Sequence, residues 1–477
     1  MSQHSYENPL ITRYSCGVMK NIFSEYEKVK TMRIVWFALA ESQKELGLPI
    51  GCNQIRELEL HIESIDFDRI EQIEHQTKHD VMANLLAYGE VAPLANPIIH
   101  LGATSTDITD NVDIILMKRA IHVIKQRLIN VIDHLSTFAE TYKSIPTLGF
   151  THLQPAQLTT VGKRATLWIS DLLKDLENLD NLEQKLSLKG LKGATGTQAS
   201  FLSLFDNDID KVHQLEQAFV RRLGFDRVEP VTSQTYSRKT DYEFMSLLSQ
   251  IAQSAYKFSN DLRLLQHMKE IEEPFDQNQV GSSSMPYKRN PMRSERISSL
   301  ARYVISLPIN GAITSSTQWL ERSLDDSANR GIVLPNAFLA TDAILNLYMN
   351  ITKSLVVYPK MIEKHLKEEF PFMVIENILM ASVKNGGDRQ LLHEKLKLLT
   401  HQVSKQIKEN GGENNLFELL LQDPNFKFME KEFSSLMNPI HYIGLSDIQV
   451  VRFLNDYVNP VLIKYRDLKN MSAEIHK

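Results

Sequence analysis

Three stretches of this chain keep an apolar stripe at helical spacing for longer than most globular helices run. Between residues 112 and 138 the stripe is Val112, Ile115, Leu116, Ile121, Ile124, Leu128, Val131, Ile132 and Leu135. Trp168, Leu172, Leu176, Leu179, Leu182 and Leu186 make a second. From Asp241 to Met268 apolar residues recur over roughly seven turns, a rod of about 40 Å at the α-helical rise. Rods of that length pack side by side; they do not suit a compact α/β layer. The expected fold is all-α, with a central bundle of long helices.

Shorter helical patterns flank them. Ile22, Val29, Met32, Val35, Trp36 and Leu39 mark a helix within 21–46 that ends near Gly47 and Pro49, and residues 55–86 read as helical and heavily charged. From about 358 to 477 the chain is helical and amphipathic, broken at Asn385-Gly-Gly387, Asn410-Gly-Gly412 and Pro424, and carries no recognisable chemistry. A composition shift near residue 105 suggests an N-terminal helical domain over 1–104, a central bundle over 105–357 and a C-terminal helical cap over 358–477. The full 477 residues leave room for roughly three domains.

Charge and cysteine content narrow the function classes. A net charge of −5 argues against a polyanion as the main partner, so neither nucleic acid nor membrane is expected. The two cysteines, Cys16 and Cys52, exclude a disulfide framework and point to a reducing compartment. No apolar run approaches the roughly 18 residues of a membrane span. Met1 to Pro9 is polar and lacks the basic start and apolar stretch of a signal peptide, so a cytoplasmic protein is expected.

The chemistry concentrates in a few loops. Gly281-Ser-Ser-Ser-Met-Pro-Tyr-Lys-Arg-Asn-Pro-Met-Arg-Ser-Glu295 precedes a helical pattern beginning near Ile297, with Asn290 expected as its N-cap and Pro291 at the first helical position. Lys288 and Arg289 stand just outside, where free backbone N–H groups and the helix dipole favour an anion. His75 and His79, at i and i+4, are expected on one helix face; with neither the HExxH glutamate nor a third ligand, no metal site is expected. His100-Leu-Gly-Ala-Thr-Ser-Thr-Asp107 reads as a turn leading into a capped helix, and Gly149 to Gln157 reads as a loop. Lys189 to Ser200 is glycine-rich but has neither the ending of a P-loop nor the strand of a dinucleotide fold, so no cofactor is expected.

The pattern Gly-Ser-Ser-x-Met-Pro-x-Lys-x-Asn-Pro resembles the signature of the fumarase/aspartase superfamily, which releases fumarate from succinyl compounds. Its fuller form, Ser-Met-Pro-Tyr-Lys-Arg-Asn-Pro-Met-Arg-Ser-Glu, is most similar to the adenylosuccinate lyase family. Thr104-Ser105 and Thr151-His152-x-Gln-Pro resemble the two other shared segments of the superfamily. The resemblance implies His152 as general acid, Ser282 as base, and Lys288, Glu295 and His79 as catalytic helpers, with Glu295 orienting a histidine. It also implies contacts to a succinyl-nucleotide from Arg13, Tyr14, Lys78, Asp80, His100, Thr104, Ser105, Thr151, Gln234, Asn290, Arg296, Arg322, Ser327 and Arg330. Two departures stand out. Lys78 replaces the usual arginine and cannot offer its two-bond fork. Gly331 stands where the family carries arginine just before the aliphatic pair, so Arg330 falls one residue early, about 100° round a helix.

What the resemblance implies, then, is a homotetramer with active sites shared between subunits. It would release fumarate from adenylosuccinate, giving AMP, and from succinyl-aminoimidazole-carboxamide ribotide in purine biosynthesis. The alternatives are another fumarate-releasing lyase, such as argininosuccinate lyase, and a catalytically silent helical scaffold.

Overall fold

The computed structural model describes residues 4–426, 429 and 435–474. Residues 1–3 and 475–477, which open the expected N-terminal domain and close the expected cap, lie outside that set. Five helices come first: α1 (Gly17–Ile22), α2 (Glu25–Glu45), α3 (Cys52–Leu60), α4 (Phe67–Thr77) and α5 (Asp80–Val91). The long α6 (Ser105–Thr141) follows, then a hairpin of β1 (Pro146–Thr151) and β2 (Gln154–Thr160), and α7 (Val161–Lys185). After α8 (Ala199–Leu204) and α9 (Ile209–Arg222) come α10 (Lys239–His267), β3 (Ile271–Glu272), α11 (Met292–Ser306), α12 (Pro308–Ser316) and α13 (Asp326–Lys353). Then β4 (Val356–Val357), which pairs with β3, leads to α14 (Pro359–Met373), α15 (Ile375–Lys384), α16 (Arg389–Asn410) and α17 (Leu416–Gln422), with shorter helical turns beyond.

The expected bundle is present: α6 packs on α7 and α13, and α10 packs on α7, α11 and α13. Polar side chains start many of these helices by accepting a free N–H of the first turn, as Ser24 does for α2, Asp66 for α4 and Thr160 for α7. One contiguous apolar core runs from Leu10 to Leu462. Within α13 an 18-residue window is long and apolar enough to cross a membrane, which the sequence reading overlooked. It is 78% buried inside the protein, and a helix surrounded on all sides has no need of a polar face.

Two local readings are corrected. The charged run over 55–86 is three helices, because α4 ends at Lys78 in the left-handed region (φ 54°) and His79 caps α5 by accepting Met82 N–H. His75 and His79 therefore sit on different elements and share no helix face. The segment around Gly149 is an antiparallel hairpin, with Thr151 opposite Gln154 and a two-residue turn at His152-Leu153. Both turn residues have positive φ, 54° and 56°. Such turns usually carry Asn-Gly, and without it no hairpin signal is visible in these residues.

Buried charges tie the bundle to its surroundings. Arg127 of α6 pairs with Asp342 of α13, and both side chains are fully inaccessible. Asp107, also buried, pairs with Lys189 at 2.6 Å and accepts the backbone N–H groups of Lys192 and Gly193. The glycine-rich stretch thus wraps a carboxylate of its own chain. Gly190, Gly193 and Gly196, all at φ near +80°, make that wrap possible. Burial of α7's Asp175, whose Oδ2 finds no hydrogen bond among the described residues, pushes its pKa up to about 7 although Ser254 opposes the shift.

A carboxyl raised in the folded state binds more protons there than in the unfolded chain, so its contribution to stability falls as pH rises from about 4 to about 7. Asp175→Asn is expected to raise the melting temperature at pH 8 and to change it little at pH 5. Thermal unfolding at the two pH values tests this; equal effects at both would exclude Asp175 as the titrating group.

Candidate active site

The motif residues collect at the two ends of α10. At its C-terminal end the signature loop closes on itself. Asn290 Nδ2 donates to the Gly281 carbonyl at 2.6 Å, and Gln266 on the last turn of α10 donates to the Arg289 carbonyl at 3.0 Å. A side chain at position 281 would place its Cβ 1.9 Å from the Lys288 carbonyl oxygen, so glycine is required for the two strands of the loop to meet. Within the loop, half-buried Ser282 accepts Met285 N–H at Oγ (3.1 Å), and Lys288 is exposed. Lys288, Asn290 and Glu295 line a groove of about 610 Å³ with Arg263 and His267 of α10.

The helix after the loop differs from expectation. It begins at Met292, one residue late, and Asn290 does not cap it. Its first N–H groups are also taken: Glu273, 3% exposed, accepts Arg293 N–H at 3.0 Å, Ser294 N–H at 2.9 Å and the Ser294 hydroxyl at 2.8 Å. The anion place read from the sequence is filled by a carboxylate of this chain, which leaves the side-chain cations of the loop to meet any ligand. Glu295 is exposed and makes no hydrogen bond to a histidine among the described residues.

The hairpin lies at the same end, since the Thr147 hydroxyl of β1 reaches Glu270, three residues past α10, at 3.5 Å. Its exposed tip carries Thr151 and His152. A bulky residue held at positive φ is strained, and such strain concentrates where a side chain must be aimed. Arg13 and Tyr14 come to this side as well: with Arg293 and Arg296 they line a small pocket of about 50 Å³, the Arg296 guanidinium lying 5.4 Å from the centre of the Tyr14 ring.

The remaining residues gather at the N-terminal end of α10. Thr104 precedes α6, its N–H donating to Asp107 at 3.0 Å, and Ser105 opens the helix. Gln234 joins three segments there: its carbonyl accepts the Thr106 hydroxyl (2.7 Å), its N–H donates to the Glu321 carbonyl (3.1 Å) and its side-chain amide donates to the Ala194 carbonyl (3.0 Å). His100, at φ 68°, accepts the Trp36 indole N–H at Nδ1 (3.0 Å). That bond fixes His100 as the neutral tautomer with its proton on Nε2, and burial lowers its pKa further; Asp107 opposes the shift, and nearby His79 adds to it. Lys78, His79 and Asp80 form the turn between α4 and α5 on this side.

A helix as long as α10 cannot fold back, so the two groups stay about 40 Å apart within one chain.

Against this geometry stand the known proteins. A lyase family model matches residues 17–306, and a model described as the adenylosuccinate lyase C-terminus matches residues 371–453. The chain is 47% identical to adenylosuccinate lyase of Saccharomyces cerevisiae, over 98% of this chain and 97% of that one. The identity to adenylosuccinate lyase of Schizosaccharomyces pombe is 45%, over 97% of each. The chain belongs to the adenylosuccinate lyase family. It is an enzyme of the lyase class, and neither the scaffold alternative nor another superfamily lyase is favoured. The fold also matches a 3-carboxy-cis,cis-muconate lactonizing enzyme from Pseudomonas putida, with a TM-score of 0.82 over 95% of this chain and 99% of that one at 23% identity.

One expected contact residue is engaged within the fold. Arg330 faces inward, its Nε donating to Asp241 (2.6 Å) and its Nη2 to Asp113 (2.9 Å) and the Tyr236 hydroxyl (2.6 Å). The stretch is helical, and the next residue, Gly331, faces open space. Arg322 and Ser327 do reach the surface. Sequence reasoning missed Glu273, Arg238 and Asp326, each of which acts on partners 20 or more residues away; no short pattern marks them.

Gly281→Ala is expected to lower kcat at least about tenfold by forcing the loop base open, with a small change in melting temperature because the loop is peripheral to the core. Steady-state rates and thermal unfolding measured together check this; unchanged kcat would show that the loop base tolerates opening.

Proposed function

We propose that this protein releases fumarate from adenylosuccinate to give AMP, and from succinyl-aminoimidazole-carboxamide ribotide, in purine biosynthesis. The observation that carries the reading is the near-full-length identity to two yeast adenylosuccinate lyases, together with an intact signature loop. We place the domain divisions at 104/105 and 357/358, and the enzyme in the cytoplasm.

The chemistry has to remove a weakly acidic Cβ proton and then let a purine nitrogen leave. Ser282 is the base of this reading. The Met285 N–H on its oxygen favours the alkoxide over the alcohol, because a donor to the charged form stabilises it. Lys288, on the same loop, offsets charge that builds on the neighbouring carboxylate, and Asn290 fixes the loop that presents both. His152 protonates the leaving nitrogen, a duty suited to an imidazole at the tip of a rigid turn. At the other end Thr104, Ser105 and neutral His100 donate to the succinyl carboxylates, while Gln234, Arg322 and Ser327 hold the nucleotide. His79 and Glu295 assist by orientation; Lys78, Asp80, Thr151, Arg13, Tyr14 and Arg296 complete the binding surface.

Because the two groups stand about 40 Å apart in one chain, a complete site needs ends from different subunits. A homotetramer meets that need. Exposed apolar residues near the start of α13 supply a surface for it: Trp319, Leu320, Leu324 and Ile332 are 62–93% accessible, and Ile309 and Ile313 on α12 are close to that.

Ser282→Ala and His152→Ala are each expected to reduce fumarate release by about 100-fold or more while leaving the assembly intact. Absorbance assays with sedimentation analysis check this. Mixing Ser282→Ala with Ser105→Ala, a variant at the other end of α10, should restore part of the activity after subunit exchange, because some sites then combine two intact ends. A mixture as inactive as its components would contradict shared sites, and full activity of a diluted monomer would contradict them outright.

A further inference from the structure

Arg322 reaches the surface, but its orientation is set from beneath. Its Nη1 donates to Oδ1 of Asp326, the first residue of α13, at 2.8 Å. The other oxygen of Asp326 accepts Nε of Arg238, also at 2.8 Å. Arg238 spends its two terminal nitrogens on Asp110 of α6, at 3.2 Å each, and Asp110 accepts Tyr236 N–H at 3.0 Å. The side chains of Asp326, Arg238 and Asp110 are at most 3% accessible, whereas that of Arg322 is 21% accessible. The result is a relay of alternating charge, Asp110–Arg238–Asp326–Arg322, that starts two turns inside α6 and ends in solvent.

The relay fixes more than one side chain. Arg238 follows Gln234 by one turn's length of chain, and Gln234 is bonded both to Thr106 and to the Glu321 carbonyl, next to Arg322. Movement of Asp326 therefore shifts Arg322 relative to Gln234 and Ser105. Among the described residues only Nη1 of Arg322 is engaged in hydrogen bonds, leaving Nε and Nη2 to face a ligand. Burial alone would raise the pKa of Asp326, but Arg238 and then Arg322 hold it below the usual carboxylate range, so the relay is charged at neutral pH.

We propose that Asp326 is a positioning residue that aims the free edge of Arg322 at the phosphate monoester of the nucleotide substrate without touching it. This rests on the reading of Arg322 as a nucleotide-phosphate ligand. A buried carboxylate with one guanidinium on each oxygen leaves both cations a single allowed direction, and a bidentate edge gains from being held still before the ligand arrives.

The test uses the full chain and the two products as inhibitors, since AMP carries the phosphate and fumarate does not. In Asp326→Asn the inhibition constant for AMP and the KM for adenylosuccinate should rise about tenfold, with fumarate inhibition and kcat changed less than about threefold. Arg322→Ala should weaken AMP similarly, and the double variant should be no worse than Arg322→Ala alone, because one residue acts through the other. Equal weakening of AMP and fumarate, or additive effects in the double variant, would overturn the proposal and leave Asp326 a merely structural residue. If AMP inhibition survives in Arg322→Ala, the phosphate assignment itself fails; if AMP weakens in Arg322→Ala but not in Asp326→Asn, only the positioning role fails. Should asparagine at 326 prevent folding, Arg238→Lys probes the same relay from its far side, keeping the charge but losing the fork, and is read by the same AMP-against-fumarate comparison.

Discussion

The length of α10 governs everything else in this molecule. A straight helix of 29 residues is a strut of about 40 Å, and no side chain spans it. The signature loop and the His152 hairpin are fastened to one end; the α6 N-terminus, Gln234 and Arg322 are fastened to the other. Each half is assembled locally with good precision, through bonds such as Asn290 to Gly281 and Thr106 to Gln234. Neither half carries every candidate residue. The bundle thus holds the two groups of candidate residues rigidly apart.

Much of this was legible in the sequence, for physical reasons that differ between parts. Apolar residues spaced for a buried stripe gave away α6, α7 and α10, since burial of a long face forces that period on the chain. The loops that carry the candidate site were visible because their residue types are chemically demanding. Turn geometry was not legible: Lys78, His100 and His152 all adopt positive φ, against their intrinsic preference, and nothing local in the sequence asks for it. The end of α11 was misread for a related reason. Its cap comes from Glu273, nineteen residues before the helix starts, and a capping rule that looks only at neighbouring residues selects Asn290 instead. Arg330 shows the same limit, because the direction of a side chain on a helix depends on which acids line the core around it.

Buried ion pairs recur inside the bundle, as Arg127 with Asp342, and where it meets its loops, as Asp107 with Lys189 and Arg238 with Asp110 and Asp326. Such pairs gain little over well-packed apolar residues, while losing one partner costs about 3–5 kcal/mol. What they add here is register. Apolar contacts let a helix slide or rotate by small amounts, whereas a carboxylate shared between two guanidiniums does not. Loops that must present hydroxyls and cations at fixed positions are pinned by these charges, not by the core.

Glu273 has one more consequence. Together with Arg293, which bonds the Pro274 carbonyl at 2.7 Å, it clips the segment before the signature loop to the helix after it. Everything between is a closed ring joined to the bundle through a narrow neck. A segment so attached behaves as a cassette: it can be cut out and replaced in the laboratory while α10 and α11 stay in register.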